Sequence, residues 1–484
     1  MTFSHDFDRW RYRAVAIEAG MPRRLPQLLP SNPLPLILLG FGLLGLALRI
    51  AAAAGDFWLD EAWSVLFARD ASTVGDVLFA INHDNNHHLN TLWLRTVGWT
   101  ASPFAGRALS ILCGTLAIPV AGLIAARRGM AAAACAAALF ALSPILVTYG
   151  SEARGYAPML LALLVSILIV DRQIMGKPFR RGAEWFGLAA LVGMLAHVSM
   201  LFGVAALVGW MAIAEARNAP RLAALRTSLL FSARALAAVA VVLLMIFAGA
   251  YASPEGLRMG SVTPFSLLAF VDAVAHMLAY TLGWPWLAGS WMLAALLIPR
   301  LVRREESLAD RLPFFLLAIL GLPLLVLLVQ PDNSAYPRYY LLSAVGLLLL
   351  LPELLVLRPR FGTMLMTVVL VGSISADIVI IGNRRADPGP AIEAMIRQQP
   401  GGAFVLLEHG RDAAVLQTAA GRRGYPLILS ETCAHADFYF VQEPPGGEGF
   451  PLAALRCGRA FQPLAGGVTK GLSGMDWQLY ERVR

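Results

Sequence analysis

Asp60 and Glu61 stand side by side in the segment Trp58-Leu59-Asp60-Glu61-Ala62-Trp63, with a tryptophan on either side. Adjacent carboxylates can act as general bases or as metal ligands. The segment follows almost directly on an apolar run, Leu34 to Ala54, long enough to span a membrane. Tryptophan favours the membrane–water interface, where its ring is in apolar surroundings and its N–H is wet. A carboxylate at the centre of a spanning helix costs roughly 2.5–3.5 kcal/mol. The pair therefore belongs at the water edge, facing a protein cavity or a ligand. Asp60 also reads as the N-cap of a short helix beginning at Glu61, with a solvated carboxylate behind it. On residue chemistry alone both readings stand.

Three further stretches carry polar chemistry. Asn82-His83-Asp84-Asn85-Asn86-His87-His88-Leu89-Asn90 brings a third carboxylate, three imidazoles and four amides. Glu152-Ala153-Arg154-Gly155-Tyr156 and Tyr336-Pro337-Arg338-Tyr339-Tyr340 each place an arginine among aromatic residues. Amides and imidazoles hydrogen-bond hydroxyl-rich substrates, and arginine grips phosphate with a planar fork. Together they suggest a polyol attached to a phosphate at a membrane surface, which describes a lipid-phosphate-linked sugar. Each stretch also has a structural reading. These are a solvated loop at His83–His88, an interfacial ion pair at Glu152 and Arg154, and a snorkelling Arg338 with an aromatic belt. His197 reads as a buried hydrogen-bonding residue rather than a catalyst.

The elements that must position these residues are set by composition. The 484 residues are 58% hydrophobic and 14% charged, and mean hydropathy is +0.64. A soluble domain carries about 25% charged residues. Repeated spanning-length apolar runs make this a polytopic α-helical membrane protein. The formal net charge of +8 is spread over short connections, which is topology information and not a nucleic-acid patch. The first 33 residues, with Arg9, Arg11, Arg13, Arg23 and Arg24, are expected in the cytoplasm.

About 11 spans follow within residues 34–382, with the first external loop at 55–104. Pieces Glu61–Ala68, Val74–Ile81 and Leu89–Trp99 of that loop read as interfacial helices with one apolar side. Trp185–Ala214 is resolved into two spans by a tight turn at His197-Val198-Ser199, and Ser253–Gly283 reads as an external segment. Trp284–Leu301 reads as a span. This count puts the basic loops on one side and the Asp-, His- and Tyr-rich loops on the other.

From residue 383 the pattern changes to a small α/β domain, 383–484. Its helices are expected at Ile392–Gln399 and Asp412–Gly421, and its strands at Phe404–Leu407, Leu427–Ser430, Phe438–Gln442 and Trp477–Arg482. Span parity places it outside the cytoplasm, where a Cys433–Cys457 disulfide is plausible; unpaired small core residues are the alternative. No Cys/His spacing typical of a zinc site is present.

The order of these motifs carries a resemblance. Asp60-Glu61-Ala62 after the first span, the Asp84 loop, Glu152-Ala153-Arg154-Gly155-Tyr156-Ala157 and Pro337-Arg338-Tyr339 resemble the GT-C class of integral membrane glycosyltransferases. Within that class the chain is similar to the branch of protein O-mannosyltransferases and lipid A aminoarabinose transferases, over residues 34–382. The resemblance implies a polyprenyl-phosphate-linked sugar donor and an acceptor hydroxyl on a lipid, glycan or protein, outside the cytoplasm of a bacterial inner membrane.

Carried over by position, Asp60 activates the acceptor, Glu61 shapes the same site and Asp84 is the second acidic position. Glu152, Arg154 and Tyr156 match one signature, and Arg338 with Tyr339 match the late Arg-Tyr. His87, His88 and Asn90 belong to the substrate loop, although many relatives have His-Pro-Pro-Leu where this chain has His87-His88-Leu89-Asn90. Arginine is favoured over a divalent cation for the departing phosphate, because no ligand set of known spacing is present. The competing functions are a lipid-linked saccharide flippase, which would need polar residues through several spans, and an envelope-assembly scaffold for the C-terminal domain.

Overall fold

The structure, a computed structural model, describes residues 32–260, 262–284, 310–356, 359–430, 432, 435–447 and 449–483. The expected span at Trp284–Leu301 and the basic N-terminal segment lie essentially outside the described residues. Among the described residues, seven helices are long and apolar enough to cross a membrane, and four shorter apolar helices accompany them.

Helices α1 (Leu34–Ala52) and α4 (Pro103–Ala125) begin with proline in the first turn, where no N–H is missed. Ser102 caps α4 by accepting the Ala105 N–H at 3.2 Å. The apolar run 131–149 is broken at Ser143-Pro144 into α5 (Met130–Leu142) and α6 (Pro144–Tyr149), because Pro144 offers no N–H to continue the ladder. Helix α7 (Tyr156–Ile174) returns across the bundle. Helices α8 (Gly182–Ala196) and α9 (Met200–Glu215) flank the turn at His197–Ser199, as the sequence predicts.

Helix α10 (Arg221–Ala252) leads to a segment that departs from expectation. Residues 253–283, read as an external segment, contain the apolar helix α11 (Leu267–Leu282), which buries Phe270, Ala273 and Met277 in the main core. Asp272 and His276 interrupt its apolar pattern, but they pair one turn apart at 3.1 Å on its exposed side. The bundle closes with α12 (Leu312–Val329), α13 (Leu341–Val356) and α14 (Pro359–Asn383). Before α1 reaches its end it carries Arg49, 1% exposed, whose guanidinium donates to the Phe140 carbonyl at 3.0 Å.

A buried ion-pair network locks one end of this bundle. Arg311 donates to both oxygens of Asp171 at 2.9 and 2.5 Å, to Glu353 at 2.6 Å and to the Ile124 carbonyl at 2.9 Å. Arg127 adds a contact to Asp171 at 2.6 Å. Four elements, α4, α7, α12 and α13, meet there.

At the other end lie the short helices α2 (Leu59–Asp70) and α3 (His88–Val97), joined through a π-helical turn at Asp76–Ala80. The C-terminal part packs on them. Helices α15 (Gly389–Gln398) and α16 (Ala413–Arg423) accompany a six-stranded sheet ordered β2-β1-β3-β6-β5-β4. Its strands are β1 (Ala403–Leu407), β2 (Leu427–Ser430), β3 (Phe438–Glu443), β4 (Ala454–Arg456), β5 (Arg459–Gly467) and β6 (Asp476–Arg482). β1 pairs in parallel with β2 and β3, and the rest of the sheet is antiparallel. β4 and β5 escape a sequence reading, because Cys457-Gly458, Pro463 and Gly466-Gly467 break their pattern. Cys457 is disulfide-bonded; Cys433, the partner that the sequence suggests, lies outside the described residues.

Three charged contacts bind this sheet unit to the helical ends. Asp56 meets Arg422 and, at 2.7 Å, Arg423. The Asp387 carboxylate accepts the Asp56 N–H at 2.9 Å. Arg385, 4% exposed, donates to the Ala52 carbonyl at 2.7 Å and the Ser151 hydroxyl at 2.6 Å, and sits 3.4 Å from Glu152. Burial pushes the Glu152 carboxyl up, against the pull of Arg385. Arg385→Ala leaves that carboxylate buried without its cation, which is expected to cost roughly 3–5 kcal/mol. A lower melting temperature in detergent and faster proteolytic release of the sheet unit are the expected readouts; an unchanged melt and cleavage rate would deny Arg385 this role.

Candidate active site

Glu61 is the residue on which the site is built. Its side chain and that of Arg107 are both 0% exposed, and they form a two-pronged pair at 2.8 and 2.6 Å. The same carboxylate accepts the N–H of Ala153 at 2.7 Å and of Trp58 at 3.3 Å. Arg107 donates its other protons to the carbonyls of Ala53, Gly55 and Asp56 at 2.7–2.8 Å. Burial alone would raise the Glu61 carboxyl, but Arg107 and the Ala153 N–H outweigh it and hold the group below its ordinary range. Glu61 therefore ties α2, α4 and the 152–155 turn together. It does not line the cavity described below.

That cavity, of about 570 Å³, opens beside Asp60, one residue away. Asp60 sits in the first turn of α2 and does not cap it; Trp58 occupies the N-cap. Its carboxylate is partly exposed and meets two arginines at the same oxygen, Oδ2. Arg154 makes the close contact, and Arg338 lies 3.5 Å away. Arg154 is 4% exposed and donates its other Nη to the Asn85 side-chain carbonyl at 2.6 Å. The Asn85 amide in turn donates to the Asp60 carbonyl at 2.7 Å, closing a ring. Arg154 also lies 5.0 Å from the Tyr156 ring, and Arg338 lies 4.3 Å from Tyr336 and 5.6 Å from Tyr339. The Nε groups of both arginines and the indole N–H of Trp58 are buried without a hydrogen-bond partner. The cavity wall thus carries these two guanidinium groups, which suits an anion.

The histidines are neutral parts of this wall. The Gly155 N–H donates to His87 Nδ1 at 3.1 Å, and His87 Nε2 lies 3.3 Å from Arg154 Nη2. A side chain at Gly155 would collide with the Ala196 carbonyl and with His87, so the turn can approach this closely only with glycine. Burial and the nearby Arg154 push His87 well below its ordinary value. Burial lowers His88 to about 4 and, with Arg154, His197 to about 3. Asp84 lines the cavity with His83 Nδ1 at 2.8 Å and accepts the Gly260 N–H at 3.1 Å. Burial alone would raise Asp84, but these contacts hold it below the usual range.

Of the residues singled out by sequence, Asp60, Asp84, His87, His88, Arg154, Tyr156, Arg338 and Tyr339 share the cavity wall. Asn90 and Glu152 stand behind it. The Asn90 amide donates to the Ala153 carbonyl at 2.6 Å, and Glu152 faces Arg385. The wall adds Trp63, His83, His197, Tyr336 and Arg411. Arg107 has a signal that sequence could have used, since an arginine near the start of an apolar span needs a partner. Among the described residues no group of three or more His, Cys, Asp or Glu side chains is arranged to hold a metal ion. Asp84 and His87 each accept a backbone N–H.

No protein-family model matches the sequence, and no curated protein matches it. Solved structures do. ArnT from Cupriavidus metallidurans in the apo state superposes with a TM-score of 0.55 at 12% identity, covering 93% of this chain and 98% of that chain. The chain has the ArnT fold. The ArnT structure bound to undecaprenyl phosphate gives the same figures, 0.55 and 12%. This is the GT-C architecture that the loop motifs resemble. A coverage of 93% of the chain reaches beyond residue 382, so the likeness to ArnT takes in part of the C-terminal sheet unit, for which the motifs show no resemblance.

Replacing Glu61 with Gln leaves Arg107 buried without its counter-charge and is expected to cost roughly 3–5 kcal/mol. Because the folded Glu61 carboxyl lies below its unfolded value, its contribution is full above about pH 4.3 and fades as pH falls through the lower, folded value. Melting curves of wild type and Glu61→Gln should therefore differ by a constant amount from about pH 5 to 8 and converge only in stronger acid. Equal melting temperatures at pH 7 would show that the pair carries no such load.

Proposed function

We propose that the protein is an inverting glycosyltransferase that moves a sugar from a polyprenyl-phosphate donor to an acceptor hydroxyl on the extracytoplasmic side of a bacterial inner membrane. The observation that carries this reading is Asp60 on the wall of a 570 Å³ cavity, gripped at one oxygen by Arg154 and Arg338, at the loop end of a GT-C bundle. ArnT has been solved with undecaprenyl phosphate bound, and the apolar part of the cavity wall in this chain, Ile246, Leu257 and Met259, suits an isoprenoid chain.

In the reaction the acceptor oxygen attacks the anomeric carbon, the bond from that carbon to the phosphate oxygen breaks, and the electron pair leaves on the phosphate. Asp60 receives the hydroxyl proton on Oδ1, the oxygen that the arginines do not share. Arg154 is fixed by Asn85 and orients the carboxylate. Arg338, the looser contact at 3.5 Å, moves to the departing phosphate and stabilises its charge. The sidedness is supported by charge: Arg127 and Arg128 at the far end of α4, Arg172 in the last turn of α7, and Lys177, Arg180 and Arg181 after it are not among the cavity's lining residues.

The test is transfer from a radiolabelled panel of polyprenyl-phosphate sugars by purified protein. Asp60→Asn is expected to lower transfer by about 10²–10⁴-fold, the usual weight of a carboxylate base. Arg338→Ala is expected to lower it by about 10²–10³-fold. Near-normal transfer by Asp60→Asn would overturn the assignment. Flipping of the same lipids in vesicles, without transfer from any donor, would replace the enzyme with a transporter.

A further inference from the structure

Helices α8 and α10 leave a groove between them of about 320 Å³. Both helices run from this groove toward the cavity, where Met194, His197 and Ile246 line the wall. The groove therefore lies at the opposite end of the pair. Its lining residues fall at i, i+3, i+4 and i+7 on each helix, from Glu184 to Leu191 and from Arg234 to Val241. Seven residues of helix carry it about 10 Å into the apolar layer.

The two ends of the groove differ in chemistry. At Gly187 a side chain would meet the Arg234 Cβ at 2.7 Å, so the helices approach this closely only because that residue has none. Beyond it the lining is apolar, with Ala237 small and Leu188 and Val241 exposed. At the other end Arg234 and Glu184 stand 3.5 Å apart, with side chains 59% and 49% exposed. The two do not close into a buried pair, and each keeps a face toward its surroundings. Lys177, Arg180 and Arg181, just before α8, put this end at the level of lipid headgroups.

A groove that is apolar along its length and shows a cation beside an anion at headgroup level complements a zwitterion on an acyl chain. The phosphate meets the guanidinium fork of Arg234. A primary ammonium donates to the Glu184 carboxylate, and the acyl chain lies between the helices. A headgroup that is only anionic would set like charge against Glu184, and a quaternary ammonium has no N–H to donate. We propose that the α8–α10 groove binds a phospholipid whose headgroup carries a phosphate and a primary ammonium, in the leaflet away from the cavity, with Arg234 and Glu184 reading that headgroup. The site is independent of the glycosyl-transfer reading, since none of its lining residues lines the cavity.

The test is native mass spectrometry of the full-length protein in detergent, equilibrated with equal amounts of dioleoyl phosphatidylethanolamine, phosphatidylcholine and phosphatidylglycerol. The acyl chains are identical, so differences in retention report the headgroup. Wild type is expected to retain phosphatidylethanolamine about three- to tenfold over the other two, the weight of a charge-assisted hydrogen bond at a half-exposed site. Glu184→Gln should bring it down to the level of phosphatidylcholine, and Glu184→Arg should shift the preference to phosphatidylglycerol. Arg234→Gln should lower retention of all three. Ala237→Phe, which fills the groove at an exposed position, should do the same without lowering the melting temperature. Equal retention of the three lipids by wild type would overturn the proposal. So would an unchanged preference in Glu184→Gln, unchanged retention in Ala237→Phe, or a dimer that forms in place of lipid binding.

Discussion

A buried carboxylate that must be ionised governs this site. Glu61 takes two N–H groups from Arg107 and two from the backbone, at 2.6–3.3 Å, in a place that water does not reach. Such a pair is costly to bury and costlier to break, so everything it touches is held to one arrangement. What it touches is the start of α2, the stretch 53–56, α4 and the Glu152–Gly155 turn. Asp60 and Arg154, the neighbours of its contacts, are thereby presented to the cavity and to each other. Asp60 stays partly exposed while the adjacent Glu61 carries the framework. One position decides which is which, since the first turn of α2 directs Asp60 outward and Glu61 inward.

The electrostatics of the cavity follow from the same scarcity of partners. Burial, with arginine beside two of them, holds His87, His88 and His197 below their ordinary range, so these three imidazoles add little charge to a wall of carboxylates and guanidinium groups. Asp60 shares one oxygen between two cations. A site of this kind is charged but poised, because an incoming anion competes with a carboxylate for the same arginines.

Much of this was legible in the sequence, for identifiable reasons. Apolar runs bounded by basic loops mark α1, α4, α7, α10 and α14 directly, because lipid demands continuous helix. Asp60, Asp84, Arg154 and Arg338 stand out since charge beside a span has few harmless explanations. Other features were hidden. Helix α11 is masked by Asp272 and His276, which satisfy each other on one face. Glu61 and Glu152 read like their reactive neighbours, and only their buried partners Arg107 and Arg385, distant in sequence, tell them apart. Arg411 lies in a short loop between β1 and α16, and nothing in its local pattern says that a cavity lies across from it. Strands β4 and β5 are interrupted by proline and glycine that the antiparallel pairing tolerates.

The clamp between Asp56 and the Arg422-Arg423 pair spans more than three hundred and sixty residues of chain. Synthesis proceeds from the N-terminus, at about 5–20 residues per second. The helical walls of the cavity are therefore inserted many seconds before the sheet that completes them exists. Until residues 385 to 423 have emerged and docked, Asp56 and Glu152 lack their partners. Translation itself thus delays assembly of the pocket, so that an incompletely made chain holds its acid and its arginines without the enclosure that would let them act together.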